Sequence, residues 1–215
     1  MRPGCVGCFL VIVVVLAALV VVGGVLFLST NIFATPDVRS VPYSKGDGYA
    51  AQQKLYEVTQ REGGRSGRKD PISLSEREAN AFLAHHLTEI AGISVAPLAV
   101  GFSRGQFSVQ GQTSLRILLY GGPLYQVFKY IPDTTLNHRV WVTVRGRITV
   151  EDAGGGNPGV GTITVTDLVL GRQPLHSFLL YAMMGRSGGG LFRWPVPRVV
   201  ERVQFEEGQA IIHTR

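Results

Sequence analysis

The sequence predicts an α+β fold, with one N-terminal transmembrane helix followed by an antiparallel β-sheet domain that contains two or three helices. Three observations lead to this prediction: an uncharged apolar run, later segments with the period of amphipathic helices, and short segments that alternate apolar and polar residues like strands. The chain therefore divides into an N-terminal stretch at 1–8, a transmembrane helix at 9–29, a linker at 30–47 and one domain at 48–215.

The apolar run at 9–29 is long enough to cross a bilayer. About 20 apolar residues at 1.5 Å per residue span a hydrocarbon core roughly 30 Å thick, and lipid forces the backbone polar groups to pair within a helix. Ala17 and Gly24 share one side of this helix and would allow a neighbouring helix to approach closely. The predicted anchor residues are Phe9, Leu16, Ala17, Gly24 and Phe27.

The run also predicts an orientation. It is longer than the core of a signal peptide, and the segment Asn31-Ile-Phe-Ala34 is a poor cleavage site, so we expect an uncleaved signal anchor. Arg2 lies before the run, whereas the first charges after it are Asp37 and Arg39. The positive-inside rule therefore places the N-terminus in the cytoplasm and the domain on the extracytoplasmic side.

Charge and cysteine usage limit the partners and cofactors. The net charge is +6, but the excess is spread along the chain, and a bilayer anchor makes nucleic acid the least expected partner. Cys5 and Cys8 both precede the apolar run, so no disulfide is expected in the domain. One Cys-x-x-Cys pair without a nearby histidine is half a zinc site, and juxtamembrane thiols open to acylation are favoured. No cofactor and no metal are predicted.

The first amphipathic helix is expected at 49–62, with Leu55, Tyr56 and Val58 near one side. A glycine- and arginine-rich loop follows this helix. Its basic residues are either solvated, which is favoured, or in contact with lipid headgroups. They are Arg61, Arg65, Arg68 and Lys69.

A second helix is predicted from its cap. Ser75 and Glu78 form a capping box, and an apolar stripe continues to about Ile90. His85 and His86 are adjacent, so they point about 100° apart and do not easily share one metal. A further helix is expected at about 174–185.

Strands are expected at 94–102, 106–118, 139–150 and 162–170, with a final pair around Glu206-Glu207-Gly208. In the strand at 139–150, valine and isoleucine share one face, while Arg145 and Arg147 share the other. This alternation predicts a sheet with one buried and one wetter face. A bulge is expected at Asp167, where the alternation changes phase.

Two short patterns resemble catalytic motifs. The segment Gly101-Phe-Ser103-Arg-Gly105 fits the nucleophile elbow of hydrolases, but that motif needs a helix after the serine, and here a strand-like segment follows. The glycine-rich segment at 154–159 matches a dinucleotide-binding pattern but also precedes a strand. We therefore predict no catalytic residue and no enzyme, and a serine hydrolase is the least favoured function.

Three segments of the domain are similar to YpmS-like single-pass bacterial proteins, whose extracytoplasmic domain has no assigned function. They are Ile72-Ser-Leu-Ser-Glu-Arg-Glu-Ala-Asn80-Ala-Phe-Leu, Leu170-Gly-Arg-Gln-Pro-Leu175, and Trp194-Pro-Val-Pro with Val203 and Glu207-Gly208. The resemblance implies an elongated α+β domain related to tubular lipid-binding proteins, held at the bacterial inner membrane. It implies no catalytic residue.

Two functional hypotheses follow. The chain is expected to be a non-catalytic accessory subunit of a larger membrane protein complex; the alternative is a module that binds lipid or an envelope component in an apolar cavity between helix 76–90 and the sheet. Its partners would be the bilayer and other membrane proteins or a lipid ligand. The candidate interface combines aromatic residues with the paired arginines: Tyr125, Phe128, Tyr130, Arg145, Arg147 and Trp194.

Overall fold

The computed structural model describes residues 30–38, 41–91, 95–119, 132–151, 159–176 and 192–215. The helices in these ranges are α1 (Lys45–Glu62), α2 (Glu76–Ala91), α3 (Leu115–Leu119) and α4 (Asp133–Leu136). The strands are β1 (Ile72–Ser75), β2 (Leu98–Ser103), β3 (Gln106–Ser114), β4 (Arg139–Glu151), β5 (Gly159–Leu170), β6 (Gln173–Leu175), β7 (Arg193–Val196), β8 (Val200–Glu206) and β9 (Gln209–Thr214).

The strands form two antiparallel sheets. The larger sheet has the order β2-β3-β4-β5-β6, and β7 also pairs with β5; the smaller sheet has the order β1-β9-β8. Two-residue turns join β2 to β3 and β8 to β9, and each contains a glycine with positive φ, Gly105 at +74° and Gly208 at +77°. These turns need glycine because other residues rarely adopt that backbone conformation.

The predicted two-faced strand and its bulge are confirmed. Arg145 pairs with Asp167 and Gly146 with Val165, so Thr166 is the additional residue of a bulge in β5. The bulge keeps the apolar side chains of β5 on the buried face of the sheet, where Val165 and Leu168 both lie in the core.

The two sheets meet through aromatic side chains and through their hairpin turns. Phe102 of β2 stacks on Phe205 of β8, with ring centroids 5.4 Å apart. The backbone N–H of Gly105 donates to the carbonyl oxygen of Phe205 at 2.9 Å, and that of Gly208 donates to Phe102 at 3.2 Å. The smaller sheet therefore covers one end of the apolar face of the larger one. At the other end, Leu119 of α3 and Leu136 of α4 pack on Val165 and Leu168.

Both long helices begin with a reciprocal cap. Ser44 and Asp47 form the cap of α1, and Ser75 and Glu78 form the predicted cap of α2. The two helices pack against each other and against β1. The predicted helices at 49–62 and from Ser75 to about Ile90 are therefore confirmed, although α1 begins earlier, at Lys45.

The predicted fold class, α+β with one N-terminal transmembrane helix followed by an antiparallel sheet domain with two or three helices, is wrong. The described chain is a mostly β domain with few helices, in which nine strands accompany two long and two short helices. Of the helix expected at about 174–185, residues 177–185 lie outside the described ranges. Pro174, predicted to start a helix, lies in the edge strand β6, where its missing N–H does no harm. No helix of the described ranges is long and apolar enough to cross a membrane. The predicted transmembrane segment at 9–29 lies outside those ranges.

Several strand boundaries also differ from the prediction, and β5 begins at Gly159 although 162 was expected. The strand expected at 106–118 ends at Ser114, whose hydroxyl accepts a hydrogen bond from the N–H of Ile117 at 3.3 Å and so starts helix α3. The strand expected at 94–102 begins at Leu98. Strand β1 was not predicted at all, since its short Ile-Ser-Leu-Ser alternation becomes a strand only by pairing with β9, which is distant in sequence.

Candidate functional site

The residues of the predicted interface lie on two different surfaces. Arg145 and Arg147 are exposed on the wetter face of β4, whereas Trp194 is half-buried on β7 and packs on the opposite, apolar face. The aromatic residues Tyr125, Phe128 and Tyr130 lie outside the described residues. The anchor residues Phe9, Leu16, Ala17, Gly24 and Phe27 also lie outside them.

The arginine pair belongs to an open polar sheet face. Arg145 lies opposite Ser108 on β3 and Asp167 on β5, and Arg147 lies opposite Thr164. Small hydroxyl groups and one carboxylate surround the pair, so this surface can attract an acidic partner by charge but offers little apolar area to bury.

Trp194 is placed by packing. Its indole ring lies so close to Gly161 that a Cβ on that glycine would be 2.5 Å from the ring carbon Cε2. The ring packs with the cluster that contains Val150 and Val196. Trp194 therefore fixes β7 against β5.

The serine of the hydrolase-like pattern lies in a hairpin, as the sequence indicates. Ser103 ends β2 and pairs with Gln106 across the Arg104-Gly105 turn. The next element is strand β3, whereas a nucleophile elbow needs a helix at that point. The geometry gives Ser103 an exposed hydroxyl in a turn and no elbow.

Helices α1 and α2 border a groove of about 440 Å³. Tyr49 lies on one wall, and Phe82 and His85 lie on the other. The ring of His86 packs on Phe82, with centroids 4.7 Å apart. Within the described ranges, no three His, Cys, Asp or Glu side chains are close enough to hold a metal ion. The groove therefore offers aromatic, amide and cationic groups to a ligand.

The outer side of α1 is the largest exposed aromatic feature of the described chain. Tyr49 is 67% exposed and Tyr56 is 58% exposed, and Tyr43, just before the helix, is 44% exposed. Tyr49 and Tyr56 are two helical turns apart, so they share a stripe along the helix. We call this stripe the α1 face. It consists of Tyr49, Gln52, Gln53, Tyr56 and Thr59.

The α1 face is exposed because the other side of the helix is occupied. Ala51, Val58 and Arg61 are buried against α2 and the smaller sheet. From Tyr49 to Thr59 the stripe carries no charged residue, and Lys45, one turn before Tyr49, is the charged side chain at its start. Charged side chains dominate most solvated helix surfaces. Tyrosine and glutamine combine contact area with hydrogen-bonding groups, which is typical of protein interfaces.

The sequence prediction for this helix was wrong at one residue. Tyr56 was placed near the apolar side with Leu55 and Val58, but its ring points outward. The spacing of Tyr49 and Tyr56 was the available signal, since seven residues return to the same helix side.

The basic loop after α1 differs from the prediction at Arg61. Its side chain, 2% exposed, donates to the carbonyl oxygen of Asp70 at 2.7 Å, to the hydroxyl of Thr214 at 2.6 Å and to Glu57 at 3.2 Å. Hydrogen bonds from Ser66 and then Arg61 lower the pKa of Glu57. Arg61 therefore joins α1 to β9 and is not available to lipid headgroups.

Comparison with known proteins does not assign the chain to a family. The sequence matches no family model, and a search of curated proteins finds no relative. The resemblance to YpmS-like proteins therefore stays a prediction from the quoted residues.

Proposed function

We propose that this chain is a non-catalytic, membrane-attached accessory subunit of a larger protein complex at the bacterial inner membrane, with its β-rich domain on the extracytoplasmic side. The apolar run at 9–29 would attach it to the bilayer. The single observation that supports a protein partner is the α1 face, an aromatic stripe without charge between Tyr49 and Thr59 on a helix about 27 Å long.

The α1 face suits a protein partner better than the arginine pair does. Aromatic side chains with a polar tip contribute contact area and a hydrogen bond together, and they are enriched at the centres of interfaces. Arg145 and Arg147 are surrounded by small polar groups, so they would contribute mainly long-range attraction.

The alternative is a module that binds lipid or an envelope component. It predicts an apolar cavity between α2 and the sheet, but Ala79 and Leu83 of α2 pack directly against the cluster that contains Leu98 and Val100. The groove between α1 and α2 is large enough for a small ligand, yet Lys45, Gln52 and His85 make it partly polar. These contacts favour a protein partner over an acyl chain.

The test is native mass spectrometry of the full-length protein, extracted in mild detergent from its own membrane. We expect a stoichiometric assembly with other proteins. The double variant Tyr49→Ser/Tyr56→Ser should dissociate from this assembly, whereas the control Arg145→Ser/Arg147→Ser should remain in it. A lone protein that carries a bound lipid would overturn the proposal in favour of the lipid-binding alternative. Loss of the assembly only in the arginine variant would show that the partner binds the wetter face of the larger sheet and not the α1 face.

A further inference from the structure

The chain that follows the apolar run lies against the turn between β5 and β6. Residues 30–32 are helical. The backbone N–H of Arg172 donates to the carbonyl oxygen of Asn31 at 2.9 Å, and the Arg172 side-chain Nε donates to Thr35 at 3.1 Å. The first described residues are therefore tied to the end of the larger sheet.

This contact depends on a glycine. Gly171 has φ +59°, and a Cβ there would be 2.3 Å from the carbonyl oxygen of Ile32 and 2.4 Å from that of Asn31. The N–H of Gly171 also donates to Trp141 of β4 at 2.7 Å. Backbone thus packs directly on backbone, which only a residue without a side chain permits.

Two exposed apolar side chains lie at the same end of the sheet. Phe33 is 40% exposed and packs its ring edge against His138, just before β4, with centroids 5.6 Å apart. Ile117 of α3, the helix that continues from β3, is 38% exposed. Since β3 ends where β4 begins, these residues border one surface with the β5–β6 turn.

The charge at this end is mainly positive. Arg116 pairs with Asp133, and Asp37 is exposed nearby in sequence. The guanidinium groups of Arg139 and Arg172 bond to neutral carbonyl oxygens, those of Ala96 and Thr35, so these contacts leave their charge uncompensated. An anionic surface would complement them.

We propose that this end of the larger sheet rests on an anionic bilayer surface. We call it the bilayer end; its residues are Phe33, Arg116, Ile117, Arg139 and Arg172. The inference rests on the membrane attachment in the proposed function, but not on the protein partner.

Three features support this orientation. The apolar run ends one residue before the described chain, and residues 31–35 are fixed to Gly171 and Arg172, so no free spacer separates the run from the bilayer end. The exposed apolar side chains and arginines match an interface between acyl chains and anionic headgroups. Strand β3 runs from the Arg104-Gly105 turn to Ser114, beside Arg139, and is about 30 Å long, so this turn lies far from the bilayer.

The experiment uses the full-length chain with Cys5→Ser and Cys8→Ser, which removes both native thiols. A fluorophore is attached to a single new cysteine, either Ile117→Cys at the bilayer end or Arg104→Cys at the opposite turn. The protein is reconstituted in vesicles of phosphatidylcholine and phosphatidylglycerol that carry a headgroup quencher. We expect quenching to be at least about threefold stronger at position 117 than at position 104. Equal quenching, or stronger quenching at 104, would overturn the proposal.

A charge variant tests the arginines. Arg139→Gln/Arg172→Gln should weaken quenching at position 117 several-fold, as should vesicles of phosphatidylcholine alone, whereas the exposed control pair Arg145→Gln/Arg147→Gln should not. An equal effect of both pairs would contradict a specific bilayer end.

Two glycine variants test whether residues 31–35, the docked segment, set the orientation of the domain on the bilayer. Gly171→Ala should abolish the difference between positions 117 and 104, because the new methyl group displaces residues 31–32. Gly208→Ala has a similar positive φ but open space around it, and it should preserve the difference. If Gly171→Ala also preserved the difference, the docked segment would not set the orientation.

A chain that failed to sediment with vesicles would refute membrane attachment itself. Failure to find a partner complex would refute the proposed accessory role but not the bilayer end.

Discussion

Helices α1 and α2 lie side by side and begin with the same type of cap, but they expose different chemistry. Two polar side chains of α2 bond to strand β2: Asn80 donates to the carbonyl oxygen of Val100 at 2.9 Å and accepts from its N–H at 2.7 Å, and Glu76 accepts from the N–H of Phe102. The outer side of α1 instead presents Tyr49 and Tyr56 to solvent.

Helix α2 therefore stabilises the fold, whereas the outer side of α1 stays accessible to solvent. Strand β2 is the edge of the larger sheet, and the contacts from α2 occupy the backbone groups that could pair with another chain. Helix α1 covers no strand edge with its tyrosines. Asn80, buried against the strand edge, supports the fold, whereas the exposed Tyr49 and Tyr56 are the residues that the proposed function assigns to a partner.

The largest effect is expected for Asn80→Ala. Asn80 is 1% exposed, and its removal leaves the N–H and carbonyl of buried Val100 without partners. We expect the free energy of unfolding to fall by about 3 kcal/mol, measured by chemical denaturation. Asn137→Ala, at an exposed position, is the matched control and should change it by less than about 0.5 kcal/mol. Similar small losses in both variants would show that α2 does not protect the edge.

The next effect tests the inner side of α1. Arg61→Ala removes the link to Asp70 and Thr214, and we expect a loss of about 2–3 kcal/mol in unfolding free energy. Arg61→Lys should recover only part of it, because a lysine cannot bond to several partners in one plane. Arg65→Ala, in the exposed part of the loop, should be nearly neutral. A neutral Arg61→Ala in thermal and chemical denaturation would refute the proposed link.

The two caps should differ in their pH dependence. Burial raises the pKa of Glu78, but hydrogen bonds from Lys54 and Ser75 outweigh it and lower the pKa below its usual 4.5. The folded state therefore gains stability from ionised Glu78 above the unfolded pKa, and this gain is lost as the pH falls through the lower folded value. Glu78→Gln should cost about 1 kcal/mol at pH 7 and progressively less as the pH falls below about 4.5.

Denaturant unfolding between pH 7 and pH 3 measures how the free energies of unfolding of the parent and Glu78→Gln approach each other. The pKa of Asp47 in the cap of α1 is also lowered, by hydrogen bonds from Ser44, but its side chain is more exposed than that of Glu78, 21% against 11%. Asp47→Asn should therefore show a weaker pH dependence than Glu78→Gln. A constant difference between parent and Glu78→Gln at all pH values would contradict the assignment.

The smallest effect on stability is expected on the outer side of α1. Tyr49→Ser/Tyr56→Ser should change the free energy of unfolding by less than about 1 kcal/mol, since both rings are exposed. Val58→Ala, on the buried side of the same helix, should cost more, about 1–2 kcal/mol. Circular dichroism during thermal unfolding compares the two. A large loss in the tyrosine variant would mean that these rings support the fold.

Local signals in the sequence predicted local structure well. The Ser75–Glu78 cap, the strand at 139–150, the bulge at Asp167 and the turn at Gly208 were all recognisable, because each depends on residues close together in the chain.

Features that depend on distant residues were missed. Arg61 looked like a loop cation, but its burial requires Thr214, far away in sequence. The helix start expected at Pro174 was wrong because pairing with β5 overrides the local preference there. Residues 177–185 of that expected helix lie outside the described ranges. The role of Asn80 could not be predicted from its helix alone, because it depends on hydrogen bonds to β2.

The interface predicted from the sequence and the proposed α1 face share no residue. Aromatic residues at an interface were expected, but those chosen were Trp194, which packs in the core cluster, and residues outside the described ranges. Tyr49 and Tyr56 were overlooked, although their helical spacing was visible. Composition alone does not show which side of α1 is exposed, whereas the packing of α1 on α2 does.

The most direct test of the α1 face is site-specific photo-crosslinking in living cells. A photoreactive phenylalanine analogue replaces Tyr56 on the α1 face or, as the control, Arg147 on the open sheet face. The proposed function predicts a discrete crosslinked product at position 56 and none at position 147. A product at position 147 alone, or no product at position 56 in a correctly folded and membrane-attached chain, would contradict it.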